Sequence, residues 1–321
     1  MKHTASTLHT LSALVLTAFF AGTALAEDLV KVAVPQRGTW ETSVADMGEQ
    51  AKIFAKHGIK IESLYTQGGG ETMQALISGS VDVALATGAA AMFAAYVKGA
   101  PTRPIGSSIT GAREVYWYVK ADSPIKSLKD AGGKTMAFSA TGSSSHLATL
   151  KLIKMAGVDI KAVPTGAPPA SFTQAMTGQV DIGWSAVPFG ITAMHEGRIR
   201  AIANIYDIPE YRDMSVRFHL ANMNFITGRP DVLKRFLAAY DETLDWMYGG
   251  GEAPIEAFSK LYNVKADEMR QARKEYYTRQ SMDIRHIGGL EQSMADAVAY
   301  KFIPQPLTKA QLDDLFKYAA K

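Results

Sequence analysis

The sequence predicts an α/β protein of two lobes, each a mostly parallel sheet flanked by helices, with a ligand site in the cleft between them. Three observations predict this. Two stretches echo each other without a gap, GIKIESLYTQGGGETMQALISGSVDVALA from Gly58 and GVDIKAVPTGAPPASFTQAMTGQVDIGWS from Gly157. The alignment sets Ile61 on Ile160, Thr66 on Thr165, Gly79 on Gly178, Val81 on Val180 and Asp82 on Asp181. Each copy reads as strand, Gly or Pro turn, short amphipathic helix, Gly stop and second strand, and parallel strands need such a helical crossover. The chain, at 321 residues, is long enough for two cores.

The first 26 residues stand apart from this pattern. Lys2 precedes an apolar run from Leu8 to Phe20, and Ala24-Leu25-Ala26 supplies small residues before a cleavage point. This reads as a secretory signal peptide, because the apolar run is shorter than the roughly 20 residues of a spanning helix. The sequence contains no Cys, which excludes disulfides, thiolate metal sites, thiol nucleophiles and a lipid-modified Cys. Net charge is +3, and losing Lys2 lowers it to +2 with Lys and Arg scattered, a poor basis for binding nucleic acid.

From Glu27 the elements follow in order. Val30 to Pro35 is a strand, and Val44, Met47, Ala51 and Phe54 mark one helix face closed by His57-Gly58. The first repeat supplies strand Ile59 to Thr66, helix Glu71 to Ser78 and strand Val81 to Ala86. Helix Ala89 to Lys98 and strands Pro104 to Ile109 and Val115 to Val119 come next. The second round opens with strand Lys134 to Ser139 and helix His146 to Ala156. The second repeat, a further helix and strand Ile199 to Ile205 complete it. Val216 to Ile226 reads as a strand returning to the first lobe. Pro230 opens a helix with a stripe through Leu233, Phe236, Tyr240, Leu244 and Met247, and the remainder is mostly helical. The expected division is 1–26 leader, 27–118 and 208–321 lobe 1, and 119–207 lobe 2.

Catalytic signatures fail one by one. Gly133-Lys134-Thr135 lacks the leading Gly of a phosphate loop, and Gly68 to Met73 lacks the last Gly of a dinucleotide fingerprint. Gly183-Trp184-Ser185-Ala186-Val187 lacks the closing Gly of a hydrolase elbow. What remains is a set of small-residue loops after strand ends, each opening a helix: Gln36 to Trp40, Gly68 to Thr72, Thr87-Gly88, Thr141 to His146 and Trp184 to Phe189. In open parallel sheets ligands bind beyond the carboxyl ends of the strands, where unpaired helix N–H groups suit anionic oxygens.

Gly68 to Leu85, Ser123 to Gly157, Gly178 to Phe189 and Arg229 to Tyr248 resemble the periplasmic substrate-binding proteins of ABC importers, in the nitrate, sulfonate and taurine branch related to binders of thiamine-pyrimidine precursors. The resemblance implies a type II-like two-lobed fold that closes by a hinge and docks on an inner-membrane permease. It also implies ligand contacts from Trp40 and its loop, from Ser144, Ser145 and His146, and from the Trp184 to Phe189 loop. One branch of this fold is a pyrimidine-making enzyme that depends on a Cys-rich motif, which a chain without Cys does not satisfy.

The candidate ligand-binding set is Arg37, Gly38, Trp40, Gly69, Gly70, Thr87, Ser143, Ser144, Ser145, His146, Trp184, Ser185, Pro188 and Phe189. Arg37 is the foremost charged anchor, since a guanidinium grips a carboxylate or sulfonate bidentately. Arg212, Arg217 and His219 are weaker alternatives. Asp82 and Asp181, at equivalent places in the repeats, point to a shared structural role. The expected protein is a monomeric, free periplasmic binder of a small anionic organic solute (sulfonate, nitrate, carboxylate or pyrimidine-like), without cofactor, metal or catalytic residues. Two alternatives stay open: an exported enzyme using His146 with Ser144 or Ser145, and a receptor presenting its ligand to a membrane sensor.

Overall fold

A computed structural model describes residues 27–320, so the expected signal peptide lies outside the described residues. The first half runs β1 (Asp28–Val34), α1 (Val44–Gln50), α2 (Ile53–Lys56), β2 (Ile59–Tyr65), α3 (Gly69–Ile77), β3 (Val83–Gly88), α4 (Ala89–Val97) and β4 (Thr102–Thr110). Next come β5 (Val115–Lys120), β6 (Lys134–Phe138), α5 (Ser144–Ala156), β7 (Ile160–Pro164), α6 (Pro168–Met176), β8 (Gly183–Ala186), α7 (Ile191–His195) and β9 (Ile199–Asn204). The chain ends with β10 (Ser215–Asn222), α8 (Met223–Gly228), α9 (Pro230–Gly249), α10 (Ala253–Tyr262), α11 (Ala266–Tyr276), α12 (Leu290–Ala299) and α13 (Lys309–Leu315).

The first sheet has the order β2-β1-β3-β10-β4, with β10 antiparallel to its neighbours. In the second half β8-β5-β9 form one ladder and β6-β7 another, and the parallel bridge between Met136 and Ile182 joins them into β7-β6-β8-β5-β9. The two orders are the same once β7 is set on β2, β6 on β1, β8 on β3, β5 on β10 and β9 on β4. Each sheet's antiparallel strand is thus the one entering from the other half: β5 follows β4, and β10 follows β9. The chain crosses between lobes twice, through residues 111–114 and 205–214. The first crossing precedes Val115 instead of following Tyr118 as expected, because β5 pairs Val115 with Ala186 in the second sheet. An apolar strand reads alike in either lobe, and only its partner assigns it.

The repeat is physical as well as textual. Thr66 N–H donates to Val34 O at 3.0 Å, and Thr165 N–H donates to Phe138 O at 2.8 Å. Gly79 and Gly178 end their helices at φ of 74° and 77°, the left-handed position that glycine fills without strain. The carboxylates of Asp82 and Asp181 each accept a backbone N–H at 2.9 Å, from Lys31 in β1 and Thr135 in β6. Asp82→Ala and Asp181→Ala are each expected to cost about 1 kcal/mol, and the double variant the sum, measured by urea unfolding.

Two boundaries differ from the sequence expectation. The helix read through Val44 to Phe54 breaks at Lys52, whose φ is 57°, giving α1 and α2. The break lets both pieces pack on α9. Phe54 meets Phe236 at 5.7 Å between centroids, and a Cβ on Gly48 would lie 2.3 Å from Thr243 Oγ1. The return strand stops at Asn222 instead of Ile226, since the Asn222 side chain accepts the Asn224 N–H at 2.9 Å and starts α8. In α9 the stripe through Phe236, Tyr240, Leu244 and Met247 is buried as read, each side chain contributing about 1.5–3 kcal/mol. Among the described residues no helix is long and apolar enough to cross a membrane.

Candidate functional site

The strand ends of both sheets meet at a two-tiered cleft. Its inner chamber, about 20 Å³, is lined by Gln36, Glu41 and Thr42 after β1, by Gly69, Ala86 and Gly88, by Ser139, Ser143, Ser144 and Ser145 of the second lobe, and by Trp184 and Arg217. An outer chamber of about 380 Å³ shares Gln36 and adds Arg37, Gly38, Tyr65, Tyr262, Val264, Phe189 and the Ala167-Pro168-Pro169 turn.

The lobes touch along this cleft. The Ala91 N–H at the start of α4 donates to Gly142 O at 3.3 Å. A Cβ on Gly88 would sit 2.6 Å from Gly142 O and 2.8 Å from Ser144 N, so only a glycine lets the backbones approach this closely. A Cβ on Gly38 would lie 3.4 Å from Phe189 Cζ, an ordinary contact, so the lobes pack more loosely there. Ala86 and Ala112 hold φ of 49° and 44°, unusual for alanine. One lines the inner chamber and the other lies in a crossing, places where strain is tolerated because surrounding packing fixes it.

The floor is a buried charge cluster. Arg217 Nε donates to Glu41 Oε1 at 3.0 Å, and Nη2 lies 2.7 Å from Glu41 Oε2 and also binds Glu114. Nη1 reaches Ser144 Oγ of the other lobe at 3.3 Å. Arg217, Glu41 and Glu114 are 6%, 2% and 1% exposed, so water does little to screen them. Burial pushes the Glu114 carboxyl above its ordinary range, with Arg217 working against the rise. Burial also works against the Arg217 charge, but the two carboxylates outweigh it and hold the guanidinium more firmly protonated than usual. His219, two residues on, is pushed down to about 3 by burial and by Arg217. It is therefore neutral, bonded to Tyr240 at 2.9 Å.

The serines form the opposing wall. Ser143 caps α5 by accepting the His146 N–H at 3.1 Å. Ser145 Oγ accepts the Ser139 N–H at 3.0 Å and lies 3.0 Å from Ser143 Oγ. Of the expected residues, the inner chamber therefore gathers Gly69, Ser143, Ser144, Ser145 and Trp184, and the outer one Arg37, Gly38 and Phe189. Arg37 Nη2 donates to Leu261 O at 3.3 Å, and its guanidinium sits 5.3 Å from the Tyr65 ring and 5.1 Å from the Tyr262 ring. Among the described residues it has no carboxylate partner.

Other candidates lie elsewhere. Trp40 is fully buried against Phe258 and Tyr248, because a 3₁₀ turn over Glu41–Ser43 rotates it into the core. His146 stacks on Phe138 at 4.0 Å and meets Phe302 edge-on at 5.4 Å. Its Nδ1 accepts the Gly142 N–H at 3.2 Å, and burial pulls its pKa down to about 4. Gly70 faces a separate groove beside α4, and Ser185 a hollow on the second lobe. Thr87 is buried with its hydroxyl unpaired among the described residues. The Pro188 carbonyl accepts the Ile191 N–H at 3.2 Å and the residue lines neither chamber. Sequence reasoning missed Glu41 and Glu114 and ranked Arg217 low. The available signal was a charged residue inside an otherwise fully buried strand.

Trp184 Nε1 donates to Gly166 O at 3.1 Å, so its N–H is already engaged within the protein. Tyr277 O–H donates to Val187 O, and Val187 N–H donates to Glu114 O at 3.0 Å. These two bonds tie the Trp184 to Phe189 loop to the C-terminal segment and to the first crossing.

No curated protein sequence matches the chain. Among solved structures, the alkanesulfonate-binding protein SsuA of Xanthomonas axonopodis pv. citri, bound to MOPS, superposes with a TM-score of 0.68 at 18% identity, over 92% of this chain and 96% of its own. The periplasmic aliphatic sulphonate-binding protein SsuA of Escherichia coli gives 0.67 at 20% identity, over 88% and 91%. The desulfurization enzyme DszB gives 0.64 at 13% identity, over 92% and 96%. These likenesses establish the periplasmic binding protein fold. Residues 47–253 match the NMT1/THI5-like family, more than half of the sequence, and the chain belongs to that family.

Proposed function

We propose that the chain is the solute-binding component of an ABC importer. It works free in the periplasm as a monomer, captures a small organic solute by hinge closure and hands it to an inner-membrane permease. The hinge is the pair of crossings at 111–114 and 205–214, and the solute carries an acidic group, of sulfonate, carboxylate or similar kind, within reach of Arg37. The observation that carries this reading is the cleft itself: both lobes wall it, and Gly88 meets Gly142 and Ser144 across it. A ligand that contacts both walls stabilises the closed form over the open one, which is how such an equilibrium is shifted. The sulfonate-binding neighbours support the same reading.

Binding rather than turnover is favoured by His146. An exported hydrolase would need this imidazole within reach of a serine hydroxyl, whereas its ring is stacked on Phe138 and its Nδ1 is occupied by Gly142. The test is native mass spectrometry of the purified protein, with melting curves against a panel of organic acids and nitrate. A retained solute, released unchanged and raising the melting temperature when added back, is expected. A protein that retains nothing and responds to nothing would remove the proposal.

A further inference from the structure

The charge balance of the floor bears on which end of a solute goes in first. The inner chamber presents one guanidinium, and that guanidinium already serves two buried carboxylates, with Glu114 Oε2 left unpaired among the described residues. With both carboxylates ionised the cluster carries a net negative charge, and with one protonated it is neutral. In neither state does it hold a spare cation. The starts of α3, α4 and α5 border the chamber and add partial positive charge to it, but no full cation free of a carboxylate. His219 adds no charge, being bonded to Tyr240 as a neutral ring.

Size points the same way. The inner chamber, at about 20 Å³, is small beside the outer one, at about 380 Å³, so the bulkier part of a solute fits the outer chamber. The outer chamber has the opposite character. It is large, walled by Tyr65, Tyr262, Phe189 and Pro168, and carries Arg37, which has no carboxylate partner among the described residues.

Resting on the solute-binding reading, we propose that the cleft holds its solute in one orientation and selects a two-ended molecule. A single hydrogen-bond donor, an amino or hydroxyl group, enters the inner chamber against Glu41 and the serines. A flat or apolar body fills the outer chamber, and the acidic group stays at the mouth on Arg37. A carboxylate such as Glu41, with Arg217 and Ser108 already bound, retains lone-pair capacity for one more donor. A site built to pair a donor rejects the analogue that lacks it, because the buried acceptor is then left unpaired.

Calorimetric titration with 4-aminobenzenesulfonate against benzenesulfonate, and 4-aminobenzoate against benzoate, tests the orientation. The amino compounds are expected to bind at least about tenfold more tightly. Glu41→Gln is expected to shrink that ratio, and Arg37→Gln to weaken all four acids together. The wild-type ranking carries the test if Glu41→Gln is unstable. Equal or tighter binding of the compounds without the amino group overturns the orientation, and so does binding by none of the four. The solute-binding reading is judged separately, on whether the purified protein retains a solute.

Discussion

Replacing Arg217 with leucine is expected to cost about 3–5 kcal/mol of stability, the largest effect of any single substitution at the cleft. Arg217 lies on β10 and is held by Glu41 from the first lobe and Glu114 from the first crossing. Removing it strands two carboxylates in a region almost closed to water, and each must then take up a proton or remain charged at high cost. Adding Glu41→Gln and Glu114→Gln to the same chain is expected to recover most of the loss, since the stranded charges are gone. Urea unfolding at neutral pH measures both. A loss below about 1 kcal/mol, the range of an exposed pair, would show that the cluster is not the buried unit described.

The same cluster sets a pH dependence. Glu114 is held above its ordinary value of 4.5 by burial, so the folded protein keeps that proton at pH values where the unfolded chain has lost it. The stabilisation is fully present below 4.5 and is lost as pH rises through the raised value. Stability should therefore fall as pH rises across this window, and Glu114→Gln should flatten the slope while keeping an acceptor for Arg217. Unfolding midpoints measured across the acid range would check this, and an unchanged slope in the variant would assign it to another group.

Gly88→Ala is expected to weaken solute binding about 10–100-fold while folding stays close to wild type. The glycine has φ −62°, which alanine adopts freely, so the backbone itself resists nothing. The added methyl instead meets backbone atoms of the other lobe, at 2.6 Å from Gly142 O and 3.0 Å from Ser143 C. Backbone cannot step aside as a flexible side chain does. Relieving the overlap costs about 1–3 kcal/mol, and the opening of the lobes provides the relief. Under the proposed hinge closure the cost falls on the closed form alone and appears as lost affinity, with each 1.4 kcal/mol about tenfold. Small-angle scattering should show a more open variant in the presence of solute. Wild-type affinity together with wild-type compactness would mean that this contact does not limit closure.

Much of the fold was legible because its signals are local. A strand buried on both faces, such as Val83–Gly88, reads as a continuous apolar run, and a stripe such as Phe236 to Met247 has the helical period. The Gly79 and Gly178 stops are fixed by φ alone. The Thr66/Thr165 and Asp82/Asp181 pairs could be matched by eye, and their hydrogen bonds repeat in the two halves. Local signals could not distinguish one helix from two at Lys52, because that break serves contacts with α9, nearly two hundred positions away.

Where the loops turn their side chains was not legible. Ser143, Ser144 and Ser145 line the chamber as their helix-start position suggested, while Trp40 and His146, drawn from the same kind of loop, face Phe258 and Phe138. An aromatic ring after a strand end goes wherever apolar surface is offered, and here α10 and β6 offered it.

The sequence by itself determined the two matching halves, their helix-opening loops and the candidate anchor at Arg37. Only the tertiary structure decided what the floor of the cleft is, because Glu41, Glu114 and Arg217 stand far apart in the chain. They meet where one strand leaves a lobe and another returns. Charge pairing inside a protein depends on distance and on the exclusion of water, and neither is written in the order of residues.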